Sequence, residues 1–410
     1  MPKTFLAASL LATCSLFAVC APAFAQPALL ELYEVDELKP WVGPLYPDTP
    51  VAASHAAAAK ALAAVSDNPI VQWQNRVWCE TGYHNVNNLG TGQVADPLPD
   101  PSKDLISPNG FYYRGYNDMI SESGGVKFLD NAWYFGTLNL GAVVVQTEAG
   151  DLLLFDAFTT PEDTQKLLID QMPAAGLDPS KITHIFIGHQ HGDHIGGINL
   201  IRDKFAPEAK VVAGQFDAED IRANRKAMEE GTAPLPRGVT EDTPKAELDA
   251  AKAAQLYATP ASVDIEVPAI DGTNLGLLKL DANGTELTIT MNPGHTVGQI
   301  SVIVPVKWQG KDHKLLVWSG NDKLDQAAMY ARSTDFARII AEQEGADVWF
   351  NTHPYQGALY GHLQRLAADP DYPNYLVMGK DNVSRMLGIF ADCQRAAAQR
   401  IEDGTWVSWE

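Results

Sequence analysis

The run IGHQHGDHIGG (residues 187–197) places three of the chain's ten histidines and one aspartate between His189 and His194. Imidazole nitrogen and carboxylate oxygen are the donors that zinc accepts in catalytic sites, where one position is kept for water. A two-metal centre needs roughly six such donors, brought in from strand ends and loops. His189 and His191, two positions apart, can turn their rings towards one ion, and Asp193 and His194 can face a second. Single histidines recur in glycine or proline turns after later apolar runs, His295 in NPGHT and His353 in NTHP. Two divalent ions a few ångströms apart lower the pKa of a shared water towards neutrality and polarise a carbonyl oxygen. Asp193 is the one carboxylate within this motif and so the candidate catalytic residue, orienting the nucleophile or passing its proton. The GxSxG pattern of serine hydrolases is absent.

The elements around these residues read as an α/β layer. VKFLDNAWYFGT, LGAVVVQT and DLLLFDA are short β-rich runs, the last two joined by the EAG turn (148–150). Thr160 followed by Pro161, Glu162 and Asp163 has the pattern of a helix start, and Leu167, Leu168 and Met172 continue at helical spacing until Pro173 and Gly176. ITHIFIG (182–188) is a nearly all-apolar strand, and the histidine cluster sits at its C-terminal end, where such layers present chemistry. GGINLIRDKF reads as a helix and AKVVAG as a strand. Residues 214–265 are polar, helix-prone and broken by TAPLPRG. They read equally as an insertion overhanging the site and as a solvated ornament. GLLKLDANGTELTIT is a hairpin turning at Asn283 and Gly284, KLLVWSGND and VWFNTHPYQG are further strands, and 373–401 reads as a closing helix. Before all of this, 52–65 is an alanine-rich helix and 95–104 is too rich in proline for strand or helix.

The order HxHxDH, GHT, a strand ending in SGN, then THP resembles the metallo-β-lactamase superfamily and is closest to its subclass B3. The resemblance runs from about Val126 to His362. It implies an αββα sandwich at 126–365, preceded by an N-terminal extension (26–125) and followed by a C-terminal helical segment (366–410). It also implies two zinc ions and hydrolysis of a β-lactam, lactone, ester or amide carbonyl by a metal-bound hydroxide. Carried over position by position, His189, His191 and His295 hold the first zinc, and Asp193, His194 and His353 the second. Asp156 reads as an acceptor behind a ligand histidine. One position departs from the wider superfamily: Asn321 stands where related hydrolases have a bridging aspartate, which leaves hydroxide as the main bridge. Asp322 reaches the metals only if that strand end is bulged. Asn321, Lys323 and Tyr355 are candidate substrate contacts, with Gln356, Tyr360 and the FYYRGY run (111–116) as candidate walls. His55, His84, His184, His313 and His362 lack ligand spacing and read as packing or surface residues. The long lead-in and the long gap between His194 and His295 imply a specialised pocket with weak or absent β-lactam turnover.

At 410 residues and 46% hydrophobic composition, the chain is long enough for a full core. Its start has Lys3, an apolar run from Phe5 to Val19, and Ala23 and Ala25 around Phe24. That is the pattern of a signal peptide (1–25) cleaved before Gln26, and the run is too short to span a bilayer. A periplasmic or secreted location follows, with no membrane association after cleavage. Cys79 and Cys393, the cysteines left after cleavage, are then placed to form a disulfide. A formal charge of −21 opposes phosphate backbones and anionic lipid, so the expected partner is a small-molecule substrate and not nucleic acid. A diiron redox protein of this superfamily would carry glutamate at His191 and a flavin domain. The alternatives kept open are a zinc-binding protein without turnover and a lactonase or esterase inactive on β-lactams.

Overall fold

The computed structural model describes residues 48–75, 79, 124–137, 140–236, 239–320, 326–354, 359–369 and 371–405. The expected leader, His84, the FYYRGY run, Asn321, Asp322, Lys323, Tyr355 and Gln356 lie outside the described residues.

Two sheets face each other. The first has seven strands in sequential order: β1 (Val126–Leu129), β2 (Ala132–Gly136), β3 (Gly141–Gln146), β4 (Leu152–Phe155), β5 (Ile182–Phe186), β6 (Lys210–Gly214) and β7 (Ile265–Val267). It is antiparallel from β1 to β4 and parallel from β4 to β7. The second holds β8 (Gly276–Ala282), β9 (Thr285–Met291), β10 (Ile300–Trp308), β11 (Lys311–Trp318) and β12 (Val348–Asn351), antiparallel except for the parallel pair β11–β12. The GAVVV and LLLF runs of β3 and β4 are apolar on both pleat faces because both faces are covered. Val143, Val145, Leu153 and Phe155 join the core between the sheets, while Ala142, Val144, Leu152 and Leu154 join a second core on the outer face. The fold class is therefore the expected α/β sandwich, with helices outside both sheets.

The helices are α1 (Pro50–Ala64), α2 (Pro69–Asn75), α3 (Pro161–Thr164), α4 (Gly192–Ile195), α5 (Ile198–Lys204), α6 (Gln215–Glu229), α7 (Lys245–Tyr257), α8 (Ala327–Glu344), α9 (Leu359–Ala368) and α10 (Lys380–Glu402). α10 packs on α8 and α1. Cys79 and Cys393, 314 positions apart, form a disulfide that fastens the N-terminal segment to α10. Arg400 on the same helix donates to Asp48 at 2.6 Å and to the Cys79 carbonyl. No described helix is long and apolar enough to cross a membrane.

Three sequence expectations are corrected. The helix starting at Thr160 does not continue to Met172: Thr160 caps it by accepting from Asp163 N (3.0 Å), but Thr164 Oγ1 donates back to the Thr160 and Ala157 carbonyls, and the chain widens into a π-turn at Gln165–Ile169. The closing helix starts at Lys380 rather than 373, because the preceding residues are spent covering β12. Trp349 N donates to Leu376 O, the Met378 and Gly379 amides donate to Asp347 O, and Gly379 leaves in a left-handed conformation (φ 82°). Lys311–Lys314, whose polar composition suggests a turn after Gly310, instead opens β11, and His313 Nδ1 pairs with Asp347 at 2.8 Å.

Candidate metal centre

The ends of β4, β5, β9, β11 and β12 meet at one edge of the sandwich, and each releases a polar residue there: Asp156, His189, His295, Ser319 and His353. The close approach of the two sheets at this edge needs a glycine. A Cβ on Gly188 would lie 2.1 Å from Ser319 Cβ, so only Gly lets the β5 loop pass beneath the end of β11.

His191 Nδ1 lies 3.1 Å from His189 Nε2 and 2.9 Å from His295 Nε2. Its single nitrogen cannot donate to both neighbours, so lone pairs converge there on one point. His189 is fully buried, and its outer nitrogen Nδ1 meets the Ser319 hydroxyl at 3.3 Å. A proton placed on Nδ1 by that contact leaves the Nε2 lone pair facing inward. Burial first, and the neighbouring imidazoles second, push the His189 and His295 pKa values well below the ordinary histidine range. Both rings are neutral at physiological pH, the state a metal ligand requires.

Beside this first cradle stands a second. His194 Nε2 is 3.1 Å from His353 Nε2 and 3.4 Å from Asp193 Oδ2, and His353 Nε2 is 3.5 Å from the same carboxylate oxygen. Asp193 and His194 sit on the single turn of α4. His194 and His353 are buried, while the Asp193 side chain is 37% exposed. Behind His194, Asp156 Oδ2 accepts from Nδ1 at 2.8 Å, fixing the tautomer that turns Nε2 inward. Asp156 Oδ1 accepts from Gly188 N (2.8 Å), Ser319 Oγ donates to Oδ2 (3.2 Å), and the residue holds a left-handed φ of 66° that its hydrogen bonds over-determine. Burial works against charge on His194, but Asp156 and Asp193 overcome it and raise its pKa to about 10. Burial likewise opposes charge on Asp193, and His194 and His353 outweigh it to hold that carboxyl well below the usual range.

The structure thus brings together all six donors named from the sequence. Ligands bonded at 2.0–2.1 Å around a tetrahedral ion stand about 3.3 Å apart. The spacings of 2.9–3.5 Å in both cradles fit that geometry. His189 also lies near Asp193 and His194, so the two cradles adjoin. His184, His313 and His362 stay away from the edge, each with a local partner.

Sequence reasoning missed the residues that hold the loops. Ser319, inside the SGN run, touches both Asp156 and His189, and Thr352 Oγ1 donates to it at 3.4 Å. Gln299 Oε1 accepts from His295 N, and buried Tyr330 accepts from Trp318 Nε1. Asp217, on α6 of the inserted segment, is fully buried against the loops of His189 and His295. Its type and helical context carry no signal for this, because its partners are remote in sequence.

Residues 141–304 match the family model of the metallo-β-lactamase superfamily. A ribonuclease Z of Methanothermobacter thermautotrophicus is 51% identical over 49 residues, which is 12% of this chain and 14% of that relative's length. Among solved structures, a metallo-β-lactamase of Cronobacter sakazakii is 20% identical over 70% of this chain and 98% of its own, with a TM-score of 0.47. BJP-1, a subclass B3 metallo-β-lactamase of Bradyrhizobium japonicum, is 23% identical over 68% of this chain and 94% of its own, with a TM-score of 0.45.

Proposed function

We propose, from the match of residues 141–304 to the family model of the metallo-β-lactamase superfamily, that the chain is a dinuclear zinc hydrolase acting on a small carbonyl compound of the β-lactam, lactone, ester or amide class. The observation that carries this is the meeting of two donor triads at metal-ligand spacing, with Ser319 and Asp156 within hydrogen-bond reach of the outward nitrogens of His189 and His194. His189, His191 and His295 would hold one ion, and Asp193, His194 and His353 the other. Bound there, zinc supplies Lewis acidity that polarises a carbonyl and makes a water acidic near neutrality.

The remaining work falls to the chain. Ser319 and Asp156 keep the imidazole lone pairs aimed inward, so no ring has to reorient during turnover. Asp193 is the partly exposed carboxylate of the pair of cradles. Held well below the ordinary carboxylate range, it accepts a hydrogen bond from the attacking water and orients it, rather than storing the proton. The water oxygen bonds to the carbonyl carbon, the bond to nitrogen or oxygen breaks, and the proton ends on the leaving atom. Asn321, Lys323 and Tyr355 are the proposed substrate contacts, from their places in the sequence just after Gly320 and Pro354.

A periplasmic or secreted location is supported by the leader pattern and the Cys79–Cys393 disulfide. The name of the ribonuclease relative points to RNA, but a formal charge of −21 works against a polyanion. The test is metal content by plasma mass spectrometry, followed by a panel of β-lactams, lactones, aryl esters and a short RNA. We expect two zinc ions per chain and turnover of at least one carbonyl substrate, abolished by a chelator and restored by zinc. Zinc-loaded protein inert towards every member would leave only a binding role, and turnover of RNA alone would overturn the carbonyl assignment.

A further inference from the structure

We propose that Asp217, supplied by the segment inserted between β6 and β7, is the positioning residue that clasps together the two histidine-bearing loops of the first cradle. The metal-affinity part of this rests on the dinuclear reading above; the loop-clasping part does not.

Asp217 lies in the first turn of α6 and is fully buried. Its Oδ2 accepts from Gln190 N at 2.9 Å and from Thr296 Oγ1 at 2.7 Å, and its Oδ1 accepts from Gly298 N at 2.9 Å. Gln190 stands between His189 and His191, and Thr296 follows His295. One carboxylate therefore joins a loop of the seven-stranded sheet to a loop of the five-stranded sheet, at the positions flanking three ligands. Both of its oxygens are spent outside its own helix, whose N-cap, Gly214, makes no side-chain cap bond.

The backbone is shaped to allow this. A Cβ on Gly298 would lie 2.2 Å from Asp217 N, and one on Gly214 would lie 2.0 Å from Gly298 O. The start of α6 is thus seated against the His295 loop, so the first turn of the insertion touches the site. A second link, Ile300 N to Gly188 O at 2.8 Å, ties the bases of the two loops, whereas Asp217 ties their ligand-bearing parts. Burial pushes the Asp217 carboxyl up to about 6, against the three hydrogen bonds that hold it down. A buried acid is retained here at a cost, where a neutral side chain cannot satisfy three donors at once.

The test compares wild type, Asp217→Asn and Thr296→Val. Zinc affinity is read by competition with a chromophoric chelator, and exchange of the Gln190 and Gly298 amides is read by NMR in the metal-free protein. Asparagine has one acceptor oxygen for three donors, so one zinc equivalent should weaken about 10- to 100-fold while the other stays near wild type. Thr296→Val, which deletes one hydrogen bond and keeps the shape, should weaken the same equivalent about 3- to 10-fold. Both amides should exchange faster in metal-free Asp217→Asn. Wild-type affinity at both equivalents, equal weakening of both, or unchanged amide protection would overturn the proposal. If Asp217→Asn does not fold, an unchanged Thr296→Val overturns it. Should wild type bind fewer than two zinc ions, the dinuclear reading fails, and amide exchange alone decides the role of Asp217.

Discussion

The first cradle gathers three imidazoles with no carboxylate among them, whereas the second sets Asp193 and Asp156 on either side of His194. Burial is nearly the same in both, yet it has opposite outcomes. In the first it drives His189 and His295 to the neutral form. In the second two carboxylates overcome it, so that His194 holds its proton up to about 10 and Asp193 stays anionic. Buried histidines at one sheet edge thus become neutral donors or charge-paired ones according to the acids placed beside them. A cation meets no competing proton at His189 and His295, while at His194 it must displace one.

The largest expected effect comes from removing a ligand from each side. His295→Ala and His353→Ala should each lower zinc content from two ions to one per chain, and activity by more than the roughly 100-fold typical of losing an outer partner. The two variants should retain different ions, distinguished by the chelator concentration that strips them. Retention of both ions in either variant would break the division into two cradles.

His362 shows what burial, with a smaller push from the Arg365 charge, does to an imidazole without neighbouring acids. It is buried on α9 with Asn374 as its partner, and burial lowers its pKa to about 4. Below its ordinary pKa near 6.5, the unfolded chain takes up a proton that the folded chain refuses until about pH 4. Stability from this group is therefore lost as pH falls through that window, by about 3 kcal/mol at its lower end. Urea unfolding at pH 7 and pH 4.5 should show wild type losing ground relative to His362→Gln. Parallel losses would mean that burial alone does not set the state of these rings.

The smallest effect sharpens the comparison most. Asp156→Asn removes one of the two acids that charge His194, and zinc affinity of the second cradle should fall about 10- to 100-fold, or roughly 1.4–2.7 kcal/mol. The first cradle, which Asp156 reaches through Ser319 and the Gly188 amide and not through a ligand nitrogen, should change by less than about threefold in the same chelator titration. Equal losses at both sites would show that the two cradles are one electrostatic unit.

Much of this site is legible in the amino-acid sequence, because metal ligands leave a local trace. HQHGDH packs four donors into one loop, and His295 and His353 each follow an apolar run in a turn-forming context. Asp156 is legible for the same reason, at the end of LLLFDA. The turn at Asn283 and Gly284 is equally plain, since both adopt the left-handed conformation that Asn-Gly is suited to (φ 54° and 88°). Boundaries are less so. Residues 373–379 have helix-compatible composition but are recruited to cover β12, a tertiary demand that outweighs local propensity. Sequence reasoning also passes over α9, and Thr164 breaks the third helix through bonds to backbone carbonyls that sequence does not display.

By itself the sequence determined the donor types, their order along the chain and the apolar runs that end beside them, because hydrogen bonding and hydrophobic patterning act over a few residues. Only the tertiary structure decided which donors share a point in space, which nitrogen of each ring faces inward, and that Asp217 joins loops 27 and 79 residues away from it. Those outcomes depend on strand ends of two facing sheets meeting at one edge of the sandwich, and on the balance between burial and neighbouring charge that such a meeting creates.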